Sequence, residues 1–67
     1  MALRELMAAR LKALRDRKGL TQVQLAEKSG VSRTYLARLE SGRQDPTLST
    51  LEKLAKALGV KVGRLLE

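Results

Sequence analysis

Gln22–Ser41, QVQLAEKSGVSRTYLARLES, is the stretch whose reading decides the fold. Its apolar residues, Val23, Leu25, Ala26, Val31, Leu36 and Leu39, divide around Gly30, while Arg33, Thr34 and Arg38 point elsewhere. The pattern predicts two short amphipathic helices joined by a tight turn, the arrangement by which a helix-turn-helix presents its second helix to the DNA major groove. Thr21 and Gln24 form a capping-box pair that starts the first of these helices, and Ser32 caps the second. Gly30 can take a positive φ, which turns the chain within a residue or two. Ala26 is small enough for the next helix to approach closely. By helical spacing, residues 33, 34, 37 and 38 share the side opposite Leu36 and Leu39.

Upstream, Leu3, Leu6, Met7, Leu11 and Leu14 recur at spacings of three and four, which predicts a first helix over Met1–Lys18 with one apolar face. Gly19 ends it, and Leu20 falls between helices where it can enter the core. Downstream, Gly42–Pro46 (GRQDP) is a loop. Thr47 caps a fourth helix with an apolar stripe of Leu48, Leu51, Leu54, Ala55 and Leu58, and Gly59 stops it. Val60–Glu67 has room for one short fifth helix carrying Val62, Leu65 and Leu66, in which Gly63 costs about 1 kcal/mol relative to alanine. No strand periodicity, internal repeat or low-complexity tract appears. The expected architecture is a compact all-α domain of five helices spanning 1–67.

Sixty-seven residues make one small domain, which buries only roughly 60% of the surface its unfolded chain exposes. Without cysteine there is no disulfide framework, and the chain suits a reducing cytoplasm. No apolar run approaches the ~20 residues that span a bilayer, and the start carries Arg4 and Glu5 rather than a signal-peptide layout. Fourteen Lys and Arg against seven Asp and Glu leave a formal charge of +7, which suits a polyanionic partner. A basic helix lying on lipid is disfavoured, because Leu6, Leu11 and Leu14 are needed in the core.

An enzyme is not expected. The chain has no His and no Cys, and so lacks the commonest metal ligands, general base and nucleophile. Its carboxylates are scattered, it holds no phosphate-loop or dinucleotide-binding motif, and no cofactor is implied. Duplex DNA is the better partner. Arg33 and Thr34 sit in the first turn of the third helix with Arg38 a turn further on, and arginine can bridge guanine O6 and N7 with two hydrogen bonds. Gln22 lies among free N–H groups at a positive helix end, which suits a phosphate. Arg43 can grip the backbone on the other side. The bland reading, in which these arginines only solvate a helix face, loses ground because they stand inside a complete helix-turn-helix pattern. Tyr35, the single aromatic residue, either covers the core edge or donates its hydroxyl to a phosphate, and one aromatic cannot build the stacking platform of a single-strand binder. Arg15 and Glu40 fall on helix flanks facing the interior and are read as a structural ion pair.

Taken in order, Arg15, GLTQVQLAEKSGVS at 19–32, Leu36, LESG at 39–42, Pro46, Leu51 and LAKALGV at 54–60 resemble the lambda-repressor/Cro-like helix-turn-helix domains, the xenobiotic-response-element family, over Leu11 to Leu66. The resemblance implies a five-helix domain that binds operator DNA as a homodimer and regulates transcription, in a prokaryotic or phage setting. It implies base contacts from Arg33, Thr34 and Arg38, a phosphate clamp from Gln22, and backbone or peripheral contacts from Ser32, Tyr35 and Arg43. It also carries an ion pair of the Arg15–Glu40 kind. Lys61 and Gly63 depart from the serine and acidic residue with which relatives often begin the fifth helix. Since the chain ends at Glu67, a dimer is expected to use the domain itself, through Val60, Val62, Leu65 and Leu66. Repressor is the leading expectation. Antitoxins and restriction-modification controllers use the same domain, and a protein-interaction module with an unidentified protein partner is the alternative on this fold.

Overall fold

Three hydroxyl caps set where the helices begin in the computed structural model, which describes residues 2–66. The Gln24 N–H donates to Thr21 Oγ1 at 3.1 Å while Thr21 N–H donates to Gln24 Oε1 at 2.9 Å, the reciprocal capping box. Ser32 Oγ accepts from Tyr35 N–H and Thr47 Oγ1 from Thr50 N–H, each at 3.1 Å. The helices so started are α2 (Gln22–Ser29), α3 (Arg33–Glu40) and α4 (Leu48–Leu58). They are joined by α1 (Leu3–Arg17), whose N-cap is Ala2 with no side-chain cap, and by the short α5 (Gly63–Leu66). Among the described residues there is no strand. Met1 and Glu67, which the sequence reading includes in the first and fifth helices, lie outside the described residues.

Gly30 closes α2 with φ 76°, a left-handed conformation that residues bearing a Cβ reach only with strain. Its N–H still bonds the Ala26 carbonyl at 2.9 Å, and only Gly30, Val31 and Ser32 separate the end of α2 from the start of α3.

The helices close a ring around one core: α1 packs on α3 and α5, α2 on α3 and α4, and α4 on α5. Leu11, Leu25, Leu36, Leu39, Leu54 and Leu65 are wholly enclosed there. Leu20 and Val31 pack against it from the turns. Two expectations about the apolar stripes need correction. Leu3 and Leu48 are 66% and 64% exposed, because each opens its helix a turn ahead of the first side chain that reaches the ring, Met7 in α1 and Leu51 in α4. Ala8, outside the predicted apolar stripe, is buried. Val23, on the outer side of α2, is also exposed. The fifth helix is shorter than the segment allotted to it. It consists of one turn held by Arg64 N–H to Lys61 carbonyl (3.0 Å) and Leu65 N–H to Val62 carbonyl (2.9 Å), and Leu65 anchors it.

Candidate nucleic-acid interface

Glu40, at the end of α3, decides how the exposed face of that helix is held. Arg15 of α1 reaches it with two parallel bonds, Nε to Oε2 at 2.7 Å and Nη2 to Oε1 at 2.9 Å. The third guanidinium nitrogen, Nη1, donates to the Leu20 carbonyl at 2.8 Å and lies 3.4 Å from Asp16 Oδ1. The two side chains retain only 11% and 4% of their exposure. Charge-assisted bidentate geometry of this kind fixes orientation as well as energy. The hydrogen bonds to Glu40 hold the Arg15 guanidinium above its ordinary pKa, and the charge of Glu40 adds to them against the opposing effect of burial. A raised folded-state pKa means that the stability from Arg15 is fully present below the ordinary guanidinium range. It is lost only at more alkaline pH.

Gln22 joins the same network. Its Nε2 donates to Glu40 Oε1 at 3.1 Å, so one amide proton is committed inside the fold and the other is left for a ligand. This bond couples the start of α2 to the end of α3 across 18 residues of sequence, and no local pattern announces it. The capping box takes the Gln24 N–H, and the Leu25 N–H bonds the Thr21 carbonyl at 3.0 Å. The first two N–H groups of α2, those of Gln22 and Val23, are therefore open to an anion, as at any helix start. Ser32 caps α3 in the same way and leaves the Arg33 and Thr34 N–H groups open.

Both helix starts border one shallow concavity lined by Gln22, Arg33, Thr34, Arg38 and Arg43, with Ala37 and Ser41 between them. Arg33, Thr34, Arg38 and Arg43 are all exposed. The loop carrying Arg43 is tied to α3, since the Arg38 carbonyl accepts from both the Arg43 N–H and Ser41 Oγ at 3.0 Å. Helical spacing places residue 37 on this face with 33, 34 and 38, whereas nothing in the sequence singles out Ser41. Ser32 and Tyr35 are not part of this lining. Ser32 is engaged as a cap. Tyr35 packs against the core edge, with its hydroxyl 3.5 Å from the Asp45 carbonyl.

Residues 11–65 match the Helix-turn-helix family. The chain belongs to the lambda-repressor/Cro-like helix-turn-helix domains. In this helix-turn-helix domain α2 and α3 are the motif, and the Arg15–Glu40–Gln22 network braces it from behind. The immunity repressor protein of Bacillus phage phi105 is 55% identical over 56 residues, covering 84% of this chain and 39% of the repressor, so the chain spans well under half of that relative. Among solved structures, the restriction-modification controller protein C.AhdI from Aeromonas hydrophila superposes with a TM-score of 0.90 at 37% identity, covering 92% of this chain and 94% of that one. The biofilm master regulator SinR, solved in complex with DNA, superposes with a TM-score of 0.88 at 39% identity over 91% of this chain and 98% of that one.

Of the four residues assigned to a dimer surface, Val60, Val62 and Leu66 keep exposed surface and Leu65 does not. Leu65 has no exposed surface, because α5 turns it under α1, and it belongs to the core. Val60 and Val62 are half-buried against that core. Leu66, 45% exposed, instead lines an apolar cleft with Leu3, Met7, Pro46 and Leu51. An exposed Arg4–Asp45 ion pair at 3.3 Å borders this cleft. Among the described residues no helix is long and apolar enough to cross a membrane, and no cluster of side chains could hold a metal ion.

Proposed function

We propose that this domain is a sequence-specific duplex-DNA binder that represses transcription, with α3 inserted in the major groove. The observation that carries the reading is the convergence of Arg33, Thr34 and Arg38 with two open helix starts on one braced, exposed concavity. Arg33 and Arg38 read guanine edges, and Thr34 offers a methyl to thymine or a hydroxyl to a base edge. Gln22, through its free amide proton and the backbone N–H groups beside it, holds a phosphate on one side, and Arg43 holds one on the other. Ser32 and Tyr35 serve the outer backbone only. The solved complex of SinR with DNA and the phage repressor relative support this reading, and no catalytic role accompanies it.

Two copies bind a palindromic operator in the bacterial or phage-infected cytoplasm. Leu66, with Leu3, Pro46 and the half-buried Val60 and Val62, supplies the apolar surface for the second copy. Selection of bound duplexes from a random pool at physiological salt tests the whole reading. The expected result is a palindrome with half-sites about one helical turn apart. No enrichment would leave a protein-interaction module as the better account. Sedimentation as a monomer, both free and with the selected DNA, would remove the dimer and leave the DNA reading standing. The likeness to C.AhdI favours a second version of the same chemistry, in which the controlled promoter belongs to a restriction-modification system.

A further inference from the structure

At the far end of α2 from Gln22, a second cleft gathers Lys28 of α2, Lys53 and Lys56 of α4, and Lys18 at the C-cap of α1. No acidic side chain lines it, and among the described residues none of the four ammonium groups has an ion-pair or hydrogen-bond partner. Three of them have a structural reason to be there. Lys18 caps α1, while Lys28 and Lys56 stand in the last turns of α2 and α4, where a cation complements the carbonyl end of a helix. An ideal Cβ on Gly59 would come within 4.0 Å of Lys18 Nζ, so that lysine lies over the end of α4. Lys53 has no such reason. It lies outside the last turn of α4, three residues before Lys56 on the same face, where like charges repel.

The floor of the cleft is apolar, made by Leu20, Ala57 and Leu58. We infer that this lysine-rimmed cleft docks an acidic segment of another protein, one that carries an aliphatic side chain between its carboxylates. Charge complementarity selects the sign of the partner, and the floor selects a peptide over a phosphate chain, which would use the rim alone. Single-stranded nucleic acid is a poorer fit, since the cleft holds no aromatic side chain for a base to stack on, and without an arginine fork it cannot grip a phosphate bidentately. The eight residues of α2 separate this cleft from the Gln22 end by roughly 12 Å, so both surfaces can be engaged at once. The protein would then hold its acidic partner beside the DNA it occupies, and the docking itself does not depend on the DNA reading.

The test is an amide chemical-shift titration of the intact chain with a short amidated peptide of glutamate and leucine. Parallel titrations use the same peptide with serine for leucine, inorganic tripolyphosphate, and a short duplex of random sequence. Saturable shifts centred on Lys18, Leu20, Lys28, Ala57 and Gly59 are expected, with affinity falling roughly tenfold or more when leucine is replaced by serine. The double variant Lys53→Glu/Lys56→Glu should abolish the shifts, and Lys53→Gln/Lys56→Gln should weaken them, both with a native amide spectrum. Arg33→Ala should leave them unchanged. Shifts centred on Arg33, Arg38 and Arg43, equal binding by tripolyphosphate or the serine peptide, duplex DNA occupying the cleft amides, or no binding at all would each overturn the proposal.

Discussion

The two ends of α2 carry positive charge in opposite ways. At the N-terminal end the cations are arginines: the buried Arg15 is locked by a carboxylate that also holds Gln22, while Arg33, Arg38 and Arg43 stand exposed beside it. At the C-terminal end the cations are lysines without partners among the described residues, ringed around an apolar floor. A planar guanidinium presents a fork of donors that can distinguish one base edge from another, whereas a hydrated ammonium on a flexible stem senses only the sign of its partner. The difference teaches that net charge alone says little about what a basic domain binds. The kind of cation, and what lies between the charges, says more.

Substitutions at the two ends should therefore have very different consequences. The largest effect is expected from Glu40→Ala, which strands Arg15 beneath the surface and frees Gln22. It should lower unfolding stability by about 3 kcal/mol, read from the midpoint of urea denaturation. The paired change Arg15→Met/Glu40→Leu should recover most of that loss while leaving DNA binding impaired, because the brace on Gln22 is still missing. If the paired variant binds DNA normally, the brace is structural only and the contrast between the two ends weakens.

Next come the readers. Arg33→Ala and Arg38→Ala should each remove about 1–3 kcal/mol of preference for the selected operator over random duplex, measured by competition binding at fixed salt. Equal weakening on both DNAs would mean that these arginines touch phosphate. Thr21→Ala, which opens the capping box, should cost about 1 kcal/mol of stability in the same denaturation assay. At the other end, Lys53→Gln/Lys56→Gln should change unfolding stability by no more than about 0.5 kcal/mol. The same variant should leave operator preference untouched in the competition assay. A marked loss of preference there would show that the lysine cleft also serves the DNA and that the two ends are not separate devices.

Much of this domain is written in short-range chemistry. Thr21, Ser32 and Thr47 cap helices because a hydroxyl beside an apolar run satisfies the N–H groups that every helix start leaves open, and that signal lies within four residues. Gly30 and Gly59 end helices for an equally local reason. The pairing of Arg15 with Glu40 could be inferred because a carboxylate on the recognition face would repel phosphate unless something inside the fold took it. The candidate site was readable to the same extent, since Arg33, Thr34 and Arg38 share a face by helical spacing and Gln22 starts the neighbouring helix.

What failed to show in the sequence depends on where helices stop touching. Leu3 and Leu48 follow the apolar spacing, yet each stands a turn ahead of the first side chain of its helix that reaches the core, and stays exposed. Leu65 is the converse: a single turn of helix gives no sign in the sequence of being core, but α1 packs over it. By itself, then, the sequence determined the number of helices, the starts of α2, α3 and α4, the turn between α2 and α3, and the residues on the outer face of α3. Only the tertiary structure decided which leucines are covered, that Gln22 bonds Glu40, and that four lysines from α2, α4 and the C-cap of α1 meet over one apolar floor. Capping and periodicity act between neighbours in the chain, whereas burial and charge clustering depend on distances that exist only after the ring has closed.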